Sequence, residues 1–135
     1  LAKLTPKEGG SLLDDTSFQR KLNETEIQLE SIQYTEFRLM AALAKGESPG
    51  PESSVLKTLS ADIQQQLTEL SVEAVAEFAA AHQPEARTVG TNTVSIGHDV
   101  GKMAFTQYFN LRASSIAGGT NEVQKNIIAK MVLGL

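Results

Sequence analysis

The run Gly118-Gly119-Thr120-Asn121-Glu122, near the C-terminal end, is where residue types and spacing best suit a ligand. A glycine pair lets the backbone turn sharply and approach a bound group, because no Cβ stands in the way. Thr120 or Asn121 then caps a helix whose first amides carry partial positive charge and favour a phosphate or another electron-rich group. A nucleotide-like ligand would suit that place. The plainer reading is one helix ending and another beginning. Arg112, just before the turn, offers a fork for phosphate or carboxylate, or else an ion pair between helices or a solvated surface charge. His98 beside Asp99 has the residue types of a general base and its orienter, yet no nucleophile stands near them, and a surface histidine is the simpler reading.

Composition narrows the chemistry further. The 135 residues are one domain's worth, with 41% apolar and 21% charged side chains, the balance of a packed soluble fold. The net charge of −4 comes from acidic and basic residues interspersed along the chain, with no basic stripe to neutralise a phosphate backbone, so no nucleic-acid partner is expected. There is no cysteine, which removes disulfides, thiolate nucleophiles and cysteine zinc sites. The two histidines, His82 and His98, lack a ligand spacing, so no metal is expected either. No apolar run approaches the roughly 20 residues that span a bilayer, and the first residues carry Lys3, Lys7 and Glu8 without an apolar block. No membrane association is expected, and a cytoplasmic setting is the simplest expectation.

Four helices must position these residues. Residues 1–14, with Pro6 and Gly9-Gly10, show no sustained period and read as a lead-in segment outside the core. From Phe18, the residues Leu22, Leu29, Ile32, Leu39 and Leu43 recur at helical steps, with Asp15, Thr16 or Ser17 as cap and Gly46 as stop; this predicts a helix over 15–45. Ile27, Tyr34, Phe37 and Ala41 form a second apolar stripe on it, predicting burial on more than one side. Gly46 to Pro51 should reverse the chain. Leu56, Leu59, Ile63, Leu67, Leu70, Ala74 and Phe78 predict a second helix over 52–82, with Gln64, Gln65, Glu69 and Glu73 on other faces. Thr88 to Gly97 reads as the longest loop. A third helix over 100–116, capped by Asp99, carries Met103, Tyr108, Phe109, Arg112 and Ile116. A fourth over 121–133 carries Val123, Ile127, Ile128 and Met131. The expected fold is all-α, an up-and-down four-helix bundle.

The run Ile116 to Gln124, followed by Asn126 to Ala129 and by Leu133-Gly134-Leu135, resembles the C-terminal signature of the acyl-CoA dehydrogenases. The stretch GPESSVLKTLSADIQQQLTEL is similar to the preceding helices of bacterial members. The resemblance covers the chain beyond about Asp15, apart from residues 83–100. It assigns 15–135 to that family's C-terminal helical domain, with the N-terminal domain, the middle β-domain and the first bundle helix lying before Leu1.

That resemblance implies a flavoprotein that uses FAD for α,β-dehydrogenation of an acyl-CoA thioester, giving a trans-2-enoyl-CoA. A carboxylate takes the α-proton, a hydride leaves the β-carbon, and the electrons pass to an electron-transferring flavoprotein. It further implies a homo-oligomer, or a hetero-oligomer with another acyl-CoA dehydrogenase subunit. Thr120, Asn121 and Glu122 would lie at the adenine end of FAD and Gly119 beside the substrate, and Glu122 also reads simply as a first-turn carboxylate that suits the helix dipole. Two departures stand out. Where many members carry the catalytic glutamate, this chain has Gly118; other members with glycine there take the glutamate from the first bundle helix, so no catalytic residue is assigned within 1–135. The flavin-contacting glycine loop after the second helix falls near Glu73 to Glu77, and both glycines are missing. The isolated fragment is expected to be inactive and to hold no flavin. The other readings are a catalytically silent assembly subunit and a helical interaction module with no link to flavin.

Overall fold

The computed structural model describes all residues, 1–135, and is all-α apart from one minimal hairpin. Helix α1 spans Thr16–Ala44 and α2 spans Glu52–Val75; α3 is the shorter Ala104–Leu111, and α4 is Asn121–Leu133. Asp15 supplies the first cap, its carboxylate accepting the Phe18 amide at 2.8 Å. Gly46, with φ +84, ends α1 by donating its amide to the Leu43 carbonyl. Helices α1, α3 and α4 each pack on α2, so the bundle is organised around that one helix.

The lead-in segment differs from expectation. Pro6–Lys7 pairs antiparallel with Gly10–Ser11, and a 3-10 turn over Leu12–Asp14 then drops Leu12 into the core beside Phe18, Leu70 and Ala74. Leu1 packs against this cluster and against a second one made by Val75, Ala79 and Ala104. Residues 1–14 are therefore part of the packed domain.

The second helix is shorter than its periodicity suggests. It stops at Val75 because Ala76 adopts φ +55, ψ −133, and the chain continues as a 3-10 helix over Ala76–Ala80. No glycine or proline marks this break in the sequence. The third helix is also interrupted, with 3-10 turns over Asp99–Gly101 and Arg112–Ser115 on either side of α3. His98, not Asp99, caps the first of those turns by accepting the Val100 amide on Nδ1, while Asp99 pairs with Lys102.

The faces that α2 buries also differ. Ile63 and Leu70 are buried, whereas Leu59 and Leu67 remain substantially exposed. The side toward α3 and α4 is built from small residues, Ser54, Thr58, Ala61 and Thr68. Their side chains let the neighbouring helices approach. The Thr58 and Thr68 hydroxyls stay satisfied by donating to carbonyls of α2 itself, those of Ser54 and Gln65. The second stripe of α1 is not covered within this chain, and Ile27, Tyr34 and Phe37 face solvent.

Candidate functional site

The glycine turn is placed by contacts to α2 on both sides. Before it, Gln65 donates to the Arg112 carbonyl at 3.2 Å and Lys57 to the Ser115 carbonyl at 3.4 Å, taking up carbonyls that the end of a helix leaves without partners. Gly118 and Gly119 then take φ values of +69 and +95, a backbone path that β-carbon-bearing residues rarely follow. Thr120 caps α4, its hydroxyl accepting the Val123 amide at 3.3 Å. Gln124 reaches back to donate to the Gly118 carbonyl at 3.3 Å.

Of the residues expected to meet a cofactor, Thr120 is half-buried at the helix start, while Gly119 and Glu122 are exposed on either side of it. Asn121 is turned the other way. It is only 9% exposed; its amide donates to Asp62 at 3.3 Å and its oxygen accepts from Lys57 at 2.9 Å. Its side chain ties α4 to α2 and leaves no polar atom free for a ligand, although its backbone remains at the turn. Glu122 is held below the ordinary carboxylate range, first by its own amide, then by the Thr120 hydroxyl, with Lys125 and Lys57 adding positive potential. It is therefore ionised near neutral pH and occupies the positive end of α4.

Arg112 forms the inter-helix ion pair. Its guanidinium donates to Glu69 at 2.8 Å, to the Gln65 carbonyl at 2.9 Å and to the Thr68 hydroxyl at 3.1 Å, and lies 4.5 Å from the centre of the Tyr108 ring. Its Nε is buried without a partner. His98 is exposed and its Nδ1 is engaged at the 3-10 turn, so the pairing with Asp99 for base chemistry does not form. A β-carbon built on Gly118 meets nothing within 4 Å, which leaves the place where a base would stand open.

A hollow of about 420 Å³ opens at the α2 break, between the lead-in segment and the loop after Ile96. Ala76, Glu77, Phe78, Gly97 and His98 contribute to its wall. The expected glycine loop falls at this break, and Ala76 there adopts the left-handed φ that glycine adopts without strain.

The site thus consists of a glycine turn and a helix start, standing on a helical bundle. The sequence pattern of the acyl-CoA dehydrogenase C-terminal domain matches residues 1–133, which includes both the lead-in segment and residues 83–100. The chain belongs to the acyl-CoA dehydrogenase family and carries its C-terminal domain. No curated protein matches the sequence significantly. Among solved structures, the chain is similar to one from the ChsE4-ChsE5 complex of Mycobacterium tuberculosis, with a TM-score of 0.70 and 24% identity over 99% of this chain. It is also similar to a structure described as the electron transferring flavoprotein of Acidaminococcus fermentans, with a TM-score of 0.65 and 17% identity over 98%. These likenesses are of fold, and the chain spans 32% and 30% of the two structures' lengths.

Members of this family generally bind FAD. The groups at the start of α4 that could hold its phosphates are already engaged within the chain. The first-turn amides already serve the Thr120 hydroxyl and the Glu122 carboxylate, and the nearby cation Lys57 is shared between Asn121 and Ser115.

Proposed function

We propose that this chain is the C-terminal part of a cytoplasmic, FAD-dependent acyl-CoA dehydrogenase that converts an acyl-CoA thioester to a trans-2-enoyl-CoA and passes electrons to an electron-transferring flavoprotein. The observation that carries the proposal is the family match over residues 1–133, joined to a turn of two positive-φ glycines immediately before α4. FAD supplies the redox chemistry when bound. In this reading Thr120 and Glu122 line the adenine end, the backbone at Gly119 passes beside the substrate, and Asn121 fixes the turn through Lys57 and Asp62. The base that removes the α-proton comes from outside residues 1–135, since Gly118 has no proton acceptor. The assembly is a homo-oligomer or a hetero-oligomer with a related subunit.

One observation favours a second reading, a catalytically silent assembly subunit: Gly118 offers no proton acceptor, and Ala76 stands at the α2 break where the resemblance implies a glycine loop. The test for both is the full gene product, purified and given a panel of acyl-CoA thioesters with an electron acceptor. Formation of 2-enoyl-CoA at stoichiometry with acceptor reduction supports the enzyme. A flavin-free product with no turnover on any thioester rejects it in favour of the silent subunit.

A further inference from the structure

The seven residues that follow α2 have the composition of more helix. Residues 76–82 comprise four alanines with Glu77, Phe78 and His82, and no glycine or proline stands before Pro84. Alanine is the strongest helix former. The chain nevertheless leaves the α-helix at Ala76, whose φ +55 and ψ −133 lie where a β-carbon is disfavoured. Local preference and tertiary structure thus pull this segment in opposite directions.

The lead-in segment opposes the helix at this point. The Thr5 hydroxyl donates to the Ala74 carbonyl, which in a continued helix would accept the Phe78 amide. Thr5 therefore competes for the group that the next turn of α2 would use. It is itself fixed by the hairpin, its carbonyl accepting the Leu12 amide at 2.8 Å, and Leu12 is buried in one cluster with Ala74. On the other side of the break, Gln83 holds the backbone of Ile96 by two hydrogen bonds, at 2.8 and 3.2 Å. Gly97 there approaches Phe78 so closely that a β-carbon built on it would lie 2.7 Å from the ring. A straight α2 would instead set Phe78 one turn beyond Ala74, on the face that Leu12 covers. The hollow walled by Ala76, Glu77, Phe78 and Gly97 depends on the break. We propose that the α2 break is a two-state switch set by the lead-in segment. Docked, that segment holds α2 broken and the hollow formed. Undocked, it releases Ala76 into the helix, which then runs to His82 and removes the hollow. The switch lies in the backbone of α2, and the proposal stands whether or not the flavin reading holds.

The test is nuclear magnetic resonance of the 135-residue chain, reading Cα chemical shifts and amide hydrogen exchange residue by residue. The native sequence is compared with Thr5→Val, Thr5→Ser, and Thr5→Val combined with Ala76→Gly. In Thr5→Val the shifts of residues 76–82 should move to α-helical values while residues 52–75 keep theirs. The Phe78 amide should then exchange on the order of tenfold more slowly than in the native chain. Thr5→Ser keeps the hydroxyl and should match the native chain. Adding Ala76→Gly should restore the broken pattern, because glycine takes the left-handed φ without strain. Native shifts over residues 76–82 in Thr5→Val overturn the proposal, as does a double variant in which those residues stay helical. So does a loss of structure spread over all of α1 and α2, since Thr5 would then support the whole fold and not one hinge.

Discussion

Replacing Ala76 with glycine should stabilise this domain, the reverse of what glycine does at an ordinary helix position. Ala76 has φ +55 and ψ −133 at the end of α2, and its side chain is exposed, so removing the methyl group sacrifices no packing. Backbone held in such a region costs a β-carbon-bearing residue about 1–3 kcal/mol. Glycine relieves that strain but loses about 0.4–1 kcal/mol through its freer unfolded chain. The net gain is about 1–2 kcal/mol, which for a domain of this size raises Tm by roughly 3–6 °C. Thermal melts of the native chain and of Ala76→Gly, followed by circular dichroism, measure it. Gln64→Gly, at an exposed position inside α2, serves as control and should cost about 0.5–1 kcal/mol. If Ala76→Gly lowers Tm as the control does, the strain is not there and the break in α2 has another cause.

Asn121→Ala should cost about 1–3 kcal/mol in chemical denaturation, because it deprives Lys57 of an acceptor and Asp62 of a donor at a part-buried contact. An unchanged midpoint would show that this side chain does not hold α4 to α2. The Asp15 carboxyl is held below its ordinary value, first by the Lys7 ammonium and then by the Phe18 amide. A depressed folded pKa means that its stabilisation is present above the unfolded value of about 3.9 and fades as pH falls through the folded one. Asp15→Ala should therefore melt below the native chain at neutral pH, with the gap narrowing under acid conditions. A gap independent of pH contradicts the assignment.

Local chemistry made much of the fold readable. Asp15 and Thr120 are short polar caps, Gly46 is a stop, and the periods of α1 and α4 place them at Thr16–Ala44 and Asn121–Leu133, close to the expected 15–45 and 121–133. The break at Ala76 left no such mark. It depends on contacts distant in sequence, among them the Thr5 hydroxyl donating to the Ala74 carbonyl, and on alanine accepting a conformation it disfavours. The small-residue side of α2 was hidden for a different reason. Thr58 and Thr68 look like solvent-facing residues in a hydrophobicity pattern, yet they satisfy their hydroxyls within their own helix and so can be buried. At the turn, the positive-φ glycines and the cap were legible. The inward turn of Asn121 was not, since its partners Lys57 and Asp62 lie 64 and 59 residues away along the chain. Arg112 could have met a ligand, an acidic side chain on another helix or only solvent, and the position of Glu69 on α2 chose among them.

In the proposed enzyme this domain contributes one corner of a flavin site and needs the rest of the protein to hold the cofactor. A helix start is worth at most about 2 kcal/mol to a ligand, while micromolar binding requires about 8 kcal/mol. The most direct measurement is flavin absorbance after desalting, taken on the 135-residue chain and on the full gene product, each refolded with excess FAD. The chain should be colourless, and the full product yellow, with a flavin that bleaches when an acyl-CoA is added without oxygen. Stoichiometric flavin on the isolated chain, or a full product that retains none, would contradict it.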